Sequence, residues 1–169
     1  GLLSYMGRVN YGYADKYLLT ASGRYDGASQ LAPGNKWAFF PSTSLAWRLD
    51  KEEFLQNITW INQLKLRAGF GITGNAAVSA YATQPPLVGI VHPVGSGLVN
   101  NASLGNLDLT WEKTAQYNYG LDFSIFNSRI SGSLEYYTSK TTDLLLSRSI
   151  PTVTGSATTF ENIGSTEGN

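Results

Sequence analysis

Five charged side chains fall on the polar sides of alternating segments, and they are the residues in this sequence best placed to do chemistry. They are Arg24, Arg48, Arg67, Asp122 and Glu135. Guanidinium and carboxylate groups on one surface can bind a polar ligand, or they can pair with one another across neighbouring strands. If the segments that carry them close into a barrel, we predict that these residues line its aqueous interior, where mutual ion pairing is favoured over contact with a ligand.

Catalysis is poorly supported by the same sequence. The chain has one histidine, His92, beside Pro93 in a long loop, and it has no cysteine. Hydrolysis would require a nucleophile with a base within hydrogen-bonding reach, and no predicted strand offers that pair. No group of Asp, Glu and His has the spacing of metal ligands. We predict no enzymatic activity, no metal and no cofactor, and we expect His92 to be an exposed loop residue.

A second set of polar residues lies in or beside the longest loop. The set is Asn75, Asn100, Asn101 and Asp108. Amide and carboxylate groups can exchange hydrogen bonds with a hydrophilic molecule, although polar loops have this composition without any ligand. These residues are therefore candidate contacts for a hydrophilic ligand.

Six alternating segments must position the charged residues. In each segment apolar residues recur at every second position, which is the pattern of a strand with one apolar and one polar face. The segments are SYMGRVNYGY (4–13), YLLTASGRYD (17–26), WAFFPSTSLAWR (37–48), LKLRAGFGIT (64–73), YNYGLDFSIF (117–126) and RISGSLEYYT (129–138). Pro41 lacks an amide hydrogen, so it predicts a bulge or an unpaired position within the third strand.

The connections between these strands differ in length in a regular way. Tight turns join the first strand to the second and the fifth to the sixth. The link DKEEFLQN (50–57) predicts one or two helical turns with Asp50 as the N-cap. The loops at the opposite end, 26–36, 75–109 and from 147 onward, are long. Short links at one end and long loops at the other are typical of outer-membrane barrels.

The spacing of aromatic residues favours a membrane barrel over a soluble sandwich. Trp37 and Trp47 share one face and lie ten residues apart, or about 33 Å along a strand that rises ~3.3 Å per residue. Tilted by about 40–45°, the strand covers roughly 24 Å of the membrane normal, close to the ~25 Å apolar band between aromatic girdles. Tyr17, Tyr25 and Phe123 lie on the apolar faces of their own strands. We predict that these five rings face lipid.

The composition agrees with a barrel wall. Charged residues make up 14% of the 169 residues, and twelve basic residues balance twelve acidic ones. Soluble domains average roughly 25% charged residues, and a balanced charge gives no field that would attract nucleic acid. A soluble β-sandwich that binds glycans is the alternative, since its solvated face would also collect the charges. Six strands are too few to close a membrane barrel, so we expect most of the wall to lie outside this chain.

Six stretches carry a family likeness. They are RYDGASQ (24–30), NKWAFFPSTSLAWRL with EEFL (35–49 and 52–55), LKLRAGFGITGN (64–75), LTWEKTAQYNYGLDFSIFNSRISGSLEYYTSKTTDLLL (109–146) and NIGSTEGN (162–169). In this order they resemble the SusC/RagA family of TonB-dependent outer-membrane transporters. The likeness runs through nearly the whole chain, and only the loop 76–108 diverges.

The resemblance implies an all-β fold in which residues 1–169 belong to one receptor barrel domain. They would form an antiparallel transmembrane segment of about six strands from a barrel of roughly 22 strands, with the plug domain and the remaining strands absent. The implied function is nutrient import across the bacterial outer membrane, with oligosaccharides or peptides as cargo. The implied partners are outer-membrane lipid, a SusD-like surface lipoprotein and the TonB complex, which acts through the plug.

Overall fold

The computed structural model describes residues 1–80, 82–84, 87–92, 95–100, 103–151, 153 and 156–169. Its strands, numbered along the chain, are β1 (Leu2–Tyr13), β2 (Tyr17–Ala28), β3 (Trp37–Arg48), β4 (Ile61–Asn75), β5 (Leu87–His92), β6 (Gly95–Asn100), β7 (Ser103–Leu104), β8 (Glu112–Ile125), β9 (Ile130–Thr142), β10 (Leu145–Ser149), β11 (Thr158–Asn162) and β12 (Ser165–Gly168). A 3₁₀ turn (Leu49–Lys51) and the short helix α1 (Glu53–Gln56) follow β3.

Seven of these strands form one open sheet in the order β1-β2-β3-β4-β8-β9-β12. Neighbouring strands pair antiparallel throughout. All six strands predicted from alternation are present, and β1, β2, β4, β8 and β9 extend two or more residues beyond the predicted segments. The added strand, β12, has the sequence STEG and pairs with the end of β9. Its short polar sequence carries no apolar alternation, so pattern alone does not reveal it.

The long loops contain local structure of their own. Strands β5 and β6 form a hairpin, and β10, β11 and β7 form a small three-stranded sheet. Within that small sheet β7 pairs parallel to β11, which brings residues from the longest loop beside the final loop of the chain.

The register of the open sheet gives it two distinct faces. Tyr17 lies opposite Trp47, and Trp37 lies opposite Gly27 beside Tyr25. The same face continues through Leu66 and Leu121 to Phe123, so the five rings predicted to form a belt share one side, here called the aromatic face. The opposite side, with Arg24, Arg67, Asp122 and Glu135, is called the polar face.

The aromatic face is uncovered. Along its centre Tyr119 is 52% exposed, Leu134 64% and Tyr136 56%. The buried apolar residues lie elsewhere, in a cluster at the loop end of the sheet: Ala28, Leu31, Phe40, Ala76, Leu109 and Trp111. A two-layer sandwich would bury the rings of the aromatic face between sheets, so this arrangement disfavours the soluble alternative.

Pro41 pairs with Gly23 on β2 but with no residue of β4. The register between β2 and β3 is continuous through Pro41, so the predicted bulge is absent there. The ladder between β3 and β4 begins only at Ser42. Beyond that point the Phe40 ring packs over Gly74, where a Cβ atom would overlap the ring. Of the two outcomes predicted from Pro41, the unpaired position is the one observed.

The short-link end is built from tight turns and the helical link. Ala14 and Asp15 adopt positive φ values of 51° and 53° between β1 and β2, a conformation that short polar residues tolerate better than bulky ones. The helical turns predicted for 50–57 are present, but Asp50 is not the helix cap. Glu52 precedes α1 without a side-chain capping bond, and Asp50 instead accepts hydrogen bonds from Arg48 and from the backbone of Leu64. Among the described residues no helix has the length and hydropathy to cross a bilayer.

Candidate site on the polar face and in the loops

Arg67 is the centre of an ion network on the polar face. Its Nε and Nη2 atoms donate to the two carboxylate oxygens of Asp122, each at 2.9 Å. Nη2 also donates to Oε1 of Glu135 at 2.7 Å, and the Lys65 ammonium lies 3.6 Å from Asp122. The guanidinium therefore joins three neighbouring strands, β4, β8 and β9, through charge-assisted bonds.

Gly120 makes this network possible. It lies directly opposite Arg67 on β4 and Glu135 on β9. A Cβ atom at Gly120 would lie 3.0 Å from the Arg67 Cζ atom, so the guanidinium rests flat on the bare backbone. From there it reaches carboxylates on both sides of the glycine.

The network borders a cavity of about 430 Å³. Its lining is mixed: Ser44, Gly69, Asn118 and Tyr137 lie beside apolar and aromatic residues such as Leu45, Tyr119 and Tyr136. The side chains of Arg67 and Glu135 are 38% and 63% exposed, and solvent screening limits such pairs to about 0.2–1 kcal/mol each. We conclude that the network holds charges at defined positions more than it stabilises the fold.

The two other predicted lumen cations lie apart from this network. Arg24 donates from Nε to Asp26 at 2.6 Å, and its guanidinium lies 5.9 Å from the Phe40 ring centre. Arg48 pairs with Asp50 at 2.9 Å near the short-link end. The sequence analysis did not single out Asp26, which is 2% exposed. Its position two residues after Arg24 on one strand face is a signal that could have identified the pair.

The predicted loop contacts divide into different roles. Asn75 supports the local structure, since it donates to Glu112 at 3.3 Å and accepts from the backbone of Ala77 at 3.0 Å. Asn100 ends β6 and His92 ends β5, while Asn101 lies outside the described residues. Asp108 is exposed, and its carboxylate has no hydrogen-bond or ion-pair partner within the described part of the chain.

Asp108 borders a second cavity, here called the loop cavity. Its volume is about 520 Å³, and its lining residues are Leu104, Gly105, Asn106, Asp108, Ile150, Pro151, Thr159, Glu161 and Asn162. These residues come from the longest loop and from the final loop, which the β7–β11 pairing holds together. The sequence analysis missed Glu161, because β11 is short and the pairing that places it is not visible in any local pattern.

The sequence that forms this sheet matches a family of known proteins. Residues 3–168 match the family described as TonB dependent receptor-like, beta-barrel. The chain belongs to this family. Curated TonB-dependent receptors resemble it closely: receptor P3 of Formosa agariphila is 42% identical over 169 residues, and SusC of Bacteroides thetaiotaomicron is 39% identical over 174 residues. The chain spans 17% of the length of each of these two relatives.

Solved structures give the same assignment. The RagAB peptide importer in its closed-closed state superposes with a TM-score of 0.89 at 30% identity, over 98% of this chain and 18% of that chain. The siderophore receptor PirA of Pseudomonas aeruginosa superposes with a TM-score of 0.65 at 16% identity, over 98% of this chain and 29% of that chain, which shows the shared fold alone. The predicted resemblance to SusC/RagA proteins and the all-β barrel fold class are both confirmed.

The TonB-dependent receptor segment also carries a carboxylate hub at its short-link end. Glu52 accepts hydrogen bonds from the Lys16 ammonium at 3.0 Å, the Tyr17 hydroxyl at 2.8 Å and the Trp47 indole at 2.9 Å. The donors Trp47, Tyr17 and Lys16, in that order of effect, lower the pKa of Glu52 to about 2. The Tyr17 hydroxyl and the Trp47 indole N–H, whose rings lie on the aromatic face, thus donate their hydrogen bonds to Glu52.

Proposed function

We propose that this chain forms part of the wall and outer loops of a nutrient importer of the SusC/RagA type in the bacterial outer membrane. The observation that carries the proposal is the separation of an uncovered aromatic face from an ion-paired polar face across one continuous sheet, in a chain of the TonB-dependent receptor family. The aromatic face, with Trp37, Trp47, Tyr17, Tyr25 and Phe123, meets lipid.

The polar face lines the lumen in this proposal. Arg24, Arg48, Arg67, Asp122 and Glu135 then point to an aqueous interior, where charges avoid the cost of facing hydrocarbon. The long loops face the outside, and the short links face the periplasm. Cargo is captured at the outer surface and crosses the lumen once the plug is remodelled.

The proposed partners lie outside this chain. They are a SusD-like surface lipoprotein above the loops and the TonB complex, acting through a plug. Peptide or oligosaccharide cargo fits the family, and the likeness to the RagAB peptide importer supports a peptide. Catalysis has no role in this function.

A pair of adjacent substitutions tests which face meets lipid. Ala21 lies midway between Tyr17 and Tyr25 on the aromatic face, and Ser22 is its neighbour on the polar face. In the full-length parent receptor, we expect Ala21→Arg to reduce the folded protein in outer membranes severely, since a cation near the bilayer midplane costs about 2–4 kcal/mol. Ser22→Arg should be tolerated, because the new side chain reaches water.

The measurement is the amount of heat-modifiable, folded receptor in purified outer membranes, with cargo uptake recorded in the same cells. Equal assembly of Ala21→Arg and the wild type would contradict a lipid-facing aromatic face. Import itself is contradicted if deletion of the parent gene leaves uptake and growth unchanged on every peptide and oligosaccharide tested.

A further inference from the structure

The walls of the loop cavity are fixed by hydrogen bonds within the protein. Asn106 donates to the carbonyl of Phe160 and accepts from the amide of Asp108. Asn162 donates to the carbonyls of Thr110 and Asp143 and accepts from the amide of Thr110. Thr159 donates to the carbonyl of Leu104 at 3.2 Å. The side chains of Asn106, Asn162 and Thr159 therefore hold the cavity walls in place, and the site is organised before any ligand arrives.

The charged acceptors left over in the loop cavity are two carboxylates. Asp108 has both side-chain oxygens free within the described residues. Glu161 uses Oε2 to accept from Arg148 at 3.1 Å, and its Oε1 atom has no further partner among the described residues. Ionised carboxylates only accept hydrogen bonds, so a ligand group that binds them must donate.

The charges around the loop cavity also favour a ligand group that donates hydrogen bonds. Arg148 pairs with Glu161, and the Arg148 side chain is 60% exposed. One guanidinium therefore offsets two carboxylates, and the local sum of these three groups is one negative charge. A cationic donor gains from this field, whereas an anionic cargo would be repelled.

We propose that the loop cavity binds an ammonium group of a peptide cargo, with Glu161 and Asp108 as its acceptors. The volume of about 520 Å³ lies within the usual range of small-molecule sites, so it can take a terminal residue or a lysine side chain. This assignment rests on the proposed import function, and it specifies the chemistry of the cargo at one position.

The test uses the full-length parent receptor in detergent and two fluorescent short peptides that differ only in a free or an acetylated amino terminus. The free amine should bind at least about tenfold more tightly, since hydrogen bonds to charged groups are worth a factor of this size or more. Glu161→Gln and Asp108→Asn should each weaken binding of the free-amine peptide several-fold and leave the acetylated peptide unchanged. Arg148→Gln should act in the opposite direction and tighten the free-amine peptide, because it releases Glu161.

Asp15→Asn is the matched control, since Asp15 is an exposed acid in the tight turn at the other end of the sheet. It should bind both peptides as the wild type does. Equal affinity for the two peptides, or unchanged affinity in Glu161→Gln, would overturn the ammonium site. Saturable binding of a neutral oligosaccharide without any peptide binding would also overturn the ammonium site, but it would leave the proposed import function intact. The import function itself fails if cells show no uptake of any cargo class through the parent receptor.

Discussion

Single glycines leave room for two planar side chains on the polar face to lie against the backbone. Arg67 rests on Gly120, and Phe40 rests on Gly74. In both places the planar group packs against the backbone of a neighbouring strand. A side chain in place of the glycine would push the planar group away. The glycine is needed for close approach, since each of these two backbones faces a ring or a guanidinium at contact distance.

Gly120→Ala should weaken the Arg67 network without removing it. The new Cβ atom would lie 3.0 Å from Arg67 Cζ, so the guanidinium must move away from the backbone and its bonds to Asp122 and Glu135 lengthen. We expect Gly120→Ala, Arg67→Ala and Glu135→Ala to reduce cargo uptake per folded receptor, or to change plug seating, more than they reduce the amount of receptor in the membrane. Uptake normalised to surface protein is the measurement.

Gly69→Ala serves as the control for that substitution. Gly69 lies on the polar face of β4, and a Cβ atom there would make only ordinary contacts, the nearest at 3.8 Å. Uptake should therefore be normal in Gly69→Ala. If Arg67→Ala and Glu135→Ala instead lose folded protein to the same extent as they lose uptake, the network is structural and its proposed role in the lumen fails.

The charged residues show how far sequence reasoning reaches at this scale. Alternation placed Arg67, Asp122 and Glu135 on one face, and the register then brought them together. Alternation also placed Arg24 and Arg48 on that face, but it did not predict how far along the strands they lie from Arg67. They pair with Asp26 and Asp50 instead, because those acids are only two residues away on the chain.

Among the elements, the helical link after β3 is held by one side chain. Glu52 accepts three donors, which come from the β1–β2 turn, the start of β2 and the end of β3. The lowered pKa of Glu52 means that its ionised carboxylate is more stable in the folded state than in the unfolded state.

The stability that Glu52 contributes should disappear in acid. A carboxyl whose pKa falls from 4.5 to about 2 on folding contributes fully above about pH 4.5 and loses that contribution as the pH falls towards 2. We expect Glu52→Gln to be less stable than the wild type at neutral pH, with the difference shrinking over this window. The measurement is denaturant unfolding of the full-length receptor in detergent at several pH values.

Glu53→Gln is the control for this pH dependence, because Glu53 is the exposed neighbour at the start of α1. Its stability difference from the wild type should be small at every pH. A constant difference between Glu52→Gln and the wild type from pH 7 to pH 2 would show that the hub does not act through ionisation.

Elements with long alternation could be predicted, and those without it could not. The six long strands follow from apolar residues at every second position. The strands β7 and β12 have two and four residues, too few for a periodic pattern, and they form because tertiary pairing supplies their partners. Asp50 has the residue type of a helix cap, but Arg48 and the Leu64 amide compete for its carboxylate.

At the scale of the whole molecule, the family match explains why so little of this sheet is buried. The chain spans 17% of the length of receptor P3, and the buried apolar cluster found among the described residues lies at the loop end of the sheet. A water-soluble domain of this size would bury a central core. The aromatic spacing predicted that the rings face lipid, but no local pattern predicted the loop cavity, which depends on contacts between residues more than 50 positions apart.

Among the described residues no strand pairs with the outer sides of β1 and β12, and these open edges determine how this stretch would behave as a split protein. All twelve residues of β1 are exposed, and its free amides and carbonyls form a template for another strand. Expressed alone, the polypeptide should self-associate, with a sedimentation coefficient that rises with concentration. Co-refolded with the remainder of the receptor, it should be captured in trans and yield a nicked barrel with heat-modifiable migration; fully monomeric behaviour of the lone piece would contradict this expectation.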